Sequence, residues 1–558
     1  MRKLRTAAWL ALVGSGAAVT VSSAFSQPVP AGASGAPPNV SPSASPLLTP
    51  GSPPATGPGM LVTRFTFSGN ASQAAPILEA LVASHVGKTL TVEQLNEVAD
   101  QVKRHYRDKG WFLAQAYIPA QTAEQGAVDI AVLEGRIGKL IVNVAADAPI
   151  SSRYATQLVA TCLREGQVIT EADMARPQLL FGDVPRITAK TVIEPGSELG
   201  TANLLINIVR DQEAAVVSGT LELDNFGSRV SGSNRFSAEL NVNNPYGLGD
   251  QLALRGFVSN TSGNDFGRIA YSIPSGPWGT RVGASAAHLD YLLSQEFTAL
   301  QPNGVADIVS VNASHPLVRG RDDNLSAQIV AEKKKLTDRT ATPVSAETSS
   351  MASLRLQLNG DARDVLMGVN IYSVSVMHGN FQIDDSTRQL QDQSSSGAHS
   401  AGAFNKLMYS YQRLQQLQPS LNALFSLSGQ IADKNLHSSE KNSIGGASSV
   451  RAFRVGELVG DQGYSLSTEL RYTLPQLKTD KIDVVTTLFY DYGHITLNHD
   501  NAALKNPVNT RSISGYGAGL NLAYGEHVAL KLAIAWPVIG AAAPGAGRQI
   551  SAQAIYSY

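Results

Sequence analysis

The chain has 558 residues, and its 44 Lys and Arg nearly cancel its 45 Asp and Glu, which leaves a net charge of −1. This balance argues against a general nucleic-acid-binding protein, because such proteins carry a basic excess or a basic patch. The single cysteine, Cys162, excludes an internal disulfide and a cysteine-rich metal site. No stretch beyond the N-terminus reaches the ~18 apolar residues of a membrane-spanning helix.

The N-terminus has the pattern of a secretory signal peptide over residues 1–26. A basic start is followed by an apolar stretch from Ala7 to about Val21 and by the small residues Ala24 and Ser26 at a cleavage site. An N-terminal membrane anchor is the alternative, and the shortness of the apolar run disfavours it. Residues 27–59 are rich in Pro, Gly, Ala and Ser and are predicted to form a disordered linker.

Residues 60–137 are predicted to form a small α+β domain. Residues 61–67 alternate like a strand, and residues 72–85 are predicted to be its first helix. Thr91 and Gln94 have the spacing of a capping box, and Gly110 is predicted to end the helix that follows it. Strands are predicted over 112–118 and 127–133.

Residues 138–212 are predicted to form a second domain of the same kind. It has a strand over 140–144, helices over 154–162 and 170–181, and strands over 187–194 and 203–210. Cys162 lies on the apolar side of the short helix, which predicts a buried structural thiol.

These two units resemble POTRA domains, the periplasmic modules of outer-membrane assembly and secretion proteins. Ala175-Arg-Pro-Gln-Leu-Leu-Phe-Gly-Asp-Val-Pro185 resembles the second POTRA signature of the two-partner secretion transporters, the TpsB family. Two POTRA domains are also the number in that family. The alternative is an unrelated pair of α+β domains.

Residues 213–558 change to segments of about ten residues that alternate apolar and polar side chains. The pattern predicts one face suited to lipid and one suited to a wet lumen. Sixteen such segments predict an all-β, 16-stranded antiparallel transmembrane β-barrel preceded by the two POTRA domains. A soluble β-helix or sandwich is opposed by the strand length and by the aromatic last strand, which ends at Tyr558. The run Lys333–Lys335 is predicted to be an exposed strand end.

Strand parity predicts the topology of the barrel. The POTRA pair precedes strand one and must lie in the periplasm, so strand one rises outward. The connection between strands eleven and twelve, about residues 432–462, is then the sixth extracellular loop.

That loop contains Val450-Arg451-Ala452-Phe453, which resembles the Val-Arg-Gly-Tyr/Phe motif of POTRA-containing barrel proteins. The resemblance implies that the loop enters the lumen and that Arg451 pairs with an Asp on the inner wall, with Val450, Phe453 and Gly493 as supporting residues. Ala452 replaces the usual Gly, which puts a tight left-handed turn at this position in doubt.

The predicted partner of Arg451 is Asp491, in Phe489-Tyr-Asp-Tyr-Gly493, which resembles the second barrel motif of the same family. Alternation places Phe489, Asp491 and Gly493 on one face, which is inward if the Leu/Tyr face meets lipid. The alternative is that Arg451 is solvated in the loop and Asp491 merely lines a wet pore.

Two further segments support the resemblance. Residues 223–229 (Leu-Asp-Asn-Phe-Gly-Ser-Arg) look like the opening barrel motif, and residues 244–250 (Asn-Pro-Tyr-Gly-Leu-Gly-Asp) look like the turn after strand two. Both lie at the ends of predicted strands.

The resemblance implies an outer-membrane translocator of a two-partner secretion system, which binds an unfolded exported protein and passes it through the barrel to the cell surface. The implied partners are a secreted β-helical adhesin, haemagglutinin or haemolysin, outer-membrane lipid, and the barrel-assembly machinery during biogenesis. A monomer without a nucleic-acid partner is expected. An assembly factor that inserts other barrels and a passive porin-like channel stay open as alternatives.

The sequence offers no catalytic constellation. Its histidines, among them His85, His105, His494, His499 and His527, lack the spacing of metal ligands. We therefore expect no enzyme activity, no metal and no cofactor.

Overall fold

The computed structural model of the chain describes residues 59–121, 124–260, 263–295, 301–341, 344–540 and 547–558. The predicted signal peptide, and the predicted linker up to residue 58, lie outside the described residues. The chain divides into two compact units between residues 212 and 213, and each unit is described by itself. No described helix is both long enough and apolar enough to cross a membrane.

The first α+β domain packs two helices on a three-stranded sheet of order β2-β5-β4. The predicted capping box is present, since the Thr91 hydroxyl accepts from the Gln94 N–H and the Gln94 side chain accepts from the Thr91 N–H. Gly110 follows the helix with φ +96°. Its elements are β1 (Met60–Leu61), β2 (Arg64–Ser68), α1 (Ala75–Val82), β3 (Thr89–Leu90), α2 (Val92–Asp108), β4 (Gln115–Tyr117) and β5 (Ala127–Leu133).

Two predicted strands of this domain are shorter than expected. The strand predicted over 61–67 is two strands, because β1 pairs with β3 while β2 pairs in parallel with β5. Val62 lies between them and is fully buried in the domain core. The strand predicted over 112–118 covers only β4, which pairs with the end of β5.

The second α+β domain repeats this plan with a sheet of order β6-β8-β7, so β7 lies at one edge. Its elements are β6 (Arg136–Val144), α3 (Ser152–Cys162), α4 (Glu171–Gly182), β7 (Ile187–Pro195) and β8 (Thr201–Arg210). Cys162 is half-buried against the core, not buried as predicted, because it ends α3 at the margin of the packed face. This burial still raises the pKa of its thiol.

The second unit is a closed barrel of sixteen antiparallel strands, in which β26 pairs with β9. This confirms the predicted fold class and excludes the soluble sandwich. The connection between β17 and β18 holds the helix α5 (Ser386–Asp392). The barrel strands are β9 (Val217–Asp224), β10 (Arg235–Asn243), β11 (Gln251–Ser259), β12 (Asn264–Pro274), β13 (Arg281–Leu292), β14 (Asn303–Arg319), β15 (Asp323–Ala341), β16 (Val344–Arg363), β17 (Gly368–Ile383), β18 (Gly402–Gln418), β19 (Leu421–Ala432), β22 (Gln462–Thr473), β23 (Ile482–Thr496), β24 (Thr510–Tyr524), β25 (Val528–Ile539) and β26 (Gln549–Ser557).

The outer wall of the barrel is largely apolar in its middle, whereas the inner wall carries many polar and charged side chains together with two apolar clusters. On β16, Leu354, Leu356 and Leu358 are 45–56% exposed, whereas Arg355, which points into the barrel, is only 7% exposed. Closure pairs the backbone groups that a sheet edge would leave open, and only a lipid environment favours such an apolar exterior.

Candidate functional site: the loop inside the barrel

The connection between β19 and β22 folds back into the barrel as a hairpin. Its strands are β20 (Asn442–Ile444) and β21 (Leu458–Gly460), which pair antiparallel. Gly445 and Gly446 reverse the chain with φ values of +115° and +91°, a region that side chains with a Cβ rarely adopt. The tip of the hairpin therefore reaches the inner faces of β23, β24 and β25.

The structure brings Arg451 of this tip and Asp491 of β23 together. The guanidinium Nε donates to Asp491 Oδ2 at 2.8 Å and Nη2 donates to Oδ1 at 2.7 Å, which is a bidentate pair. The backbone N–H of Arg451 donates to the same carboxylate at 3.0 Å. Asp491 has no exposed surface, so the loop supplies the donors that its buried charge requires.

Three further side chains extend this ion pair into a network, and none of the three was predicted as a site residue from the sequence. Glu469 accepts from Arg451 Nη1 at 2.6 Å, and Ser467 Oγ accepts from Nη2 at 2.9 Å while donating to Asp491 at 2.7 Å. Arg471 then donates to Glu469 at 2.7 Å, so two cations alternate with two anions. The alternating pattern of β22 places Ser467, Glu469 and Arg471 on one face of the strand, and this pattern was the sequence signal for their common position.

The ring of Phe489 packs against the guanidinium of Arg451. The central carbon of Arg451 lies 3.4 Å from the centre of this ring, which is the geometry of a stacked cation–π contact. Phe489 shares the inward face of β23 with Asp491, as predicted for both residues from the alternation.

The side chains around Arg451 anchor the loop by apolar packing. Val450, Ala452 and Phe453 are each at most 3% exposed. They pack in one cluster with Ile444, Leu458, Phe489, Ile495, Ile513 and Ala535. The predicted supporting residues Val450 and Phe453 thus both contact the barrel wall.

Glycines on the wall make room for this packing. A Cβ at Gly493 would lie 2.5 Å from an Ile444 methyl and 3.0 Å from a Val450 methyl. A Cβ at Gly515 would overlap the Ala452 methyl. Ala452 is absent from the residues with positive φ, so the left-handed turns lie at the glycines before it and the Ala is accommodated by Gly515.

A second buried ion cluster fixes the stem of the loop to the inner wall at β15 and β18. Glu440 accepts from Lys334 of β15 and from Lys406 of β18, each at 2.8 Å. Gln430 of β19 donates to the Glu440 carbonyl at 2.9 Å. Asp461, at the other end of the loop, pairs with Lys441 at 2.9 Å.

This cluster corrects the prediction that Lys333–Lys335 form an exposed strand end. The strand β15 continues to Ala341, and alternation turns Lys334 into the barrel, where it is 8% exposed. Only Lys333 and Lys335 face outward and are exposed. Pairing with Glu332 and Glu440 compensates the buried charge of Lys334.

The two other predicted motifs form rigid corners of the barrel. Asp224 pairs bidentately with Arg235 at 3.0 and 3.1 Å across the first connection. In the turn after β10, Asn244 accepts from the Gly249 N–H at 2.8 Å and Asp250 accepts from Tyr271 at 2.8 Å. Among the described residues, no group of three or more His, Cys, Asp or Glu side chains could hold a metal ion.

Comparison with known proteins gives a consistent result. Residues 204–522 match the family model of the haemolysin secretion/activation protein ShlB/FhaC/HecB, and residues 60–135 match the ShlB-type POTRA domain. The heme/hemopexin transporter protein HuxB of Haemophilus influenzae is 28% identical over 462 residues, which cover 83% of this chain and 80% of the relative. The hemolysin transporter protein ShlB of Serratia marcescens is 24% identical over 483 residues, which cover 84% of this chain and 81% of the relative.

A solved structure has the same fold. The structure of CdiB from Escherichia coli superposes with a TM-score of 0.70 at 21% identity, covering 92% of this chain and 93% of that chain. The outer membrane transporter CdiB of Dickeya dadantii is 23% identical over 473 residues, which cover 82% of this chain and 79% of the relative.

Proposed function

The chain belongs to the haemolysin secretion/activation protein family, and from this premise we propose how it captures and moves its client. It is a two-partner secretion translocator of the outer membrane, with its POTRA domains in the periplasm. Its client is a secreted protein that reaches the barrel unfolded, and a large β-helical adhesin, haemagglutinin or haemolysin is the class we propose. Co-expression with a candidate exported β-helical protein should release that protein from the cell, whereas a barrel-less variant should retain it.

Client capture is proposed to occur by strand addition to β7. This strand spans Ile187–Pro195 at one edge of its sheet, and an added strand gains main-chain hydrogen bonds whatever its side chains are. The opposite edge, β6, is less open, because Arg136 bridges to Val168 and the Leu140 N–H donates to Glu165. This difference between the two edges favours β7 as the strand to which the client adds.

Two matched positions test the capture site. Val192 on β7 and Ile141 on β6 both lie beside Leu205 of the central strand, and they are 44% and 40% exposed. A photo-crosslinking amino acid at Val192 should crosslink the client strongly, and the same group at Ile141 weakly. Equal crosslinking at both positions would mean that the client contacts the sheet face, not the β7 edge.

The loop is proposed to hold the resting barrel closed through Arg451 and Asp491. Its tip contacts β23, β24 and β25 and its stem contacts β15 and β18, so we propose that an extended client passes only after at least one of these contacts opens. No nucleotide is needed in this scheme, because folding of the client outside the cell supplies the free energy.

The remaining partners are also proposals. The exposed apolar side chains of the wall support contact with outer-membrane lipid, and the last strand, with Tyr556 and Tyr558, supports recognition by the barrel-assembly machinery. A monomer is supported by the closure of β26 on β9, which leaves the barrel without an edge strand.

A further inference from the structure

The outward face of β15 changes from apolar to cationic toward its extracellular end, whereas the neighbouring β14 carries Asp307 there and β16 carries no outward charge. On β15, Lys333, Lys335 and Arg339 share the outward face and are exposed. Val309 lies level with Lys333 and is 60% exposed, and Val311 and Leu354, which flank Ala331 nearer the membrane centre, are 56% and 45% exposed. Strand parity places this end of β15 on the extracellular side, since β15 is the seventh barrel strand.

These three cations have no anionic partner within the described residues. Lys334, between them, faces inward and pairs with Glu332 and Glu440. The nearest outward acid in register is Asp307, opposite Lys335, and its carboxylate lies 2.7 Å from His288. A Lys on the lipid face costs ~2–4 kcal/mol at the bilayer centre and ~0–1 kcal/mol near the interface. These residues therefore fit the level of the lipid headgroups.

A shallow apolar groove, open along its length, runs over the outer wall from Lys333 toward the periplasmic end. Its upper part has a volume of about 590 Å³ and is lined by Val309, Val311, Ala331, Lys333, Ala352 and Leu354, among others. Its lower part has a volume of about 600 Å³, shares Val311, Ala331 and Leu354 with the upper part, and extends to Ile273 and Val282. Along β15, the groove continues about 13 Å from Lys333 to Ile329, at ~3.3 Å per residue.

We propose that this groove binds a phosphorylated, acylated glycolipid of the outer leaflet. One acyl chain occupies the apolar groove, and a headgroup phosphate contacts Lys333 and Lys335, with Arg339 further out. The cations and the groove lie on the same side of the wall in the order that an amphipathic lipid requires. The occupant is a lipid of the outer leaflet because the cations lie at the extracellular end of the groove.

This inference rests on the proposed insertion in a lipid bilayer but not on client capture. Its test therefore uses the full-length protein in phospholipid nanodiscs without any client, with purified diphosphoryl lipid A as the probe. Failure of lipid binding would leave transport untouched, and failure of transport would leave lipid binding untouched.

The double variant Lys333→Gln/Lys335→Gln removes the phosphate contacts. We expect its affinity for lipid A to fall about 30-fold, which is the loss for two cations facing an anionic headgroup. Lys505→Gln is the control for the loss of a surface cation, because Lys505 is exposed in another extracellular connection; it removes one positive charge, whereas the double variant removes two. Equal affinity of the double variant and the wild type would overturn the proposal, as would an equal loss in the control.

Two further measurements separate the groove from the headgroup. Ala331→Trp fills the groove and keeps both lysines, so it should weaken lipid A binding while the folded barrel keeps its heat-modifiable migration. Enzymatically dephosphorylated lipid A should bind the wild type as weakly as lipid A binds the double variant. Unchanged binding in the Trp variant, full binding of the dephosphorylated lipid, or complete competition by millimolar inorganic phosphate would each refute the proposed lipid site.

Discussion

Replacing Arg451 with Ala should release the loop from the lumen. Asp491 would keep only the Ser467 hydroxyl and the backbone N–H of residue 451 as donors, although it has no exposed surface. Removing one partner of a buried ion pair costs about 3–5 kcal/mol when the site stays dry. Because each 1.4 kcal/mol is a factor of ten, the ratio of docked to undocked loop should fall by at least ~100-fold.

Because of this network, we expect the two single variants to weaken docking of the loop by different amounts. In Asp491→Ala the guanidinium keeps Glu469 at 2.6 Å and Ser467 at 2.9 Å, so the charge of Arg451 stays compensated. We therefore expect Asp491→Ala to cost less than Arg451→Ala. The double variant should be little worse than Arg451→Ala alone, because the two residues act as one unit.

Loop release can be measured by cysteine labelling. In a Cys162→Ser background, which removes the single native thiol, Val450→Cys places a thiol at a position with no exposed surface. A membrane-impermeant maleimide should label it slowly in the otherwise native protein and rapidly when Arg451→Ala is added. Arg451→Lys should be intermediate, because it keeps the charge but loses the bidentate fork.

Arg454→Ala is the matched control, since this side chain lies in the same loop and makes no hydrogen bond or ion pair that the described residues reveal. Native labelling rates are expected for it. Strictly additive effects of Arg451→Ala and Asp491→Ala would mean that the two residues act separately. Unchanged labelling in Arg451→Ala would refute the role of the pair in docking.

Three other outcomes test different parts of the protein. In planar bilayers the intact protein should give small, fluctuating currents because the loop occupies the lumen, and a steady, wide current would instead support a passive channel. Deleting Phe65–Arg210 should leave a membrane-inserted barrel that no longer secretes its client, and normal secretion by this variant would remove the POTRA domains from the mechanism. Asn225→Ala should lower the temperature at which the barrel loses its heat-modifiable migration, because Asn225 bonds Ile550 O and Ala552 N, each at 2.9 Å, and such a loss costs about 1–3 kcal/mol. Asn234→Ala, in the same connection, is its control. Equal melting temperatures of the two variants would mean that Asn225 does not stabilise the junction where β26 closes on β9.

Much of the fold could be predicted because each strand carries its own alternation. The sixteen strands and the loop between Ala432 and Gln462 follow from period-2 patterns that do not depend on distant residues. Strand ends were less predictable. Because its neighbours are basic, the sequence predicts that Lys334 is exposed. Its burial becomes favourable through pairing with Glu440, which is distant in sequence.

The site was predictable in part for the same reason. Motif resemblance and alternation together identify Arg451 and Asp491, since both signals are local. Glu469 and Ser467 have no motif of their own, and their role depends on the register that sets Ser467 opposite Asp491 and Glu469 opposite Phe489. Likewise, the tolerance of Ala452 depends on Gly515 across the lumen, and no single segment contains both residues.

The loop also has a mechanical consequence for the barrel. Glu440 ties it to β15 and β18, and Phe453 packs with residues of β23, β24 and β25, which lie three to eight strands further round the sixteen-stranded wall. A loop fixed at two such points resists flattening of the barrel's cross-section. Without the loop, only the resistance of the sheet to bending would oppose this flattening. Undocking either end should therefore soften the wall as well as open the lumen. We expect the weakest place in the softened wall to be the seam, where the strand pairing of β26 with β9 covers Gln553–Ser557 and Thr220–Asp224 and is the shortest in the barrel. We therefore expect opening of the pore to be accompanied by elastic deformation of the barrel.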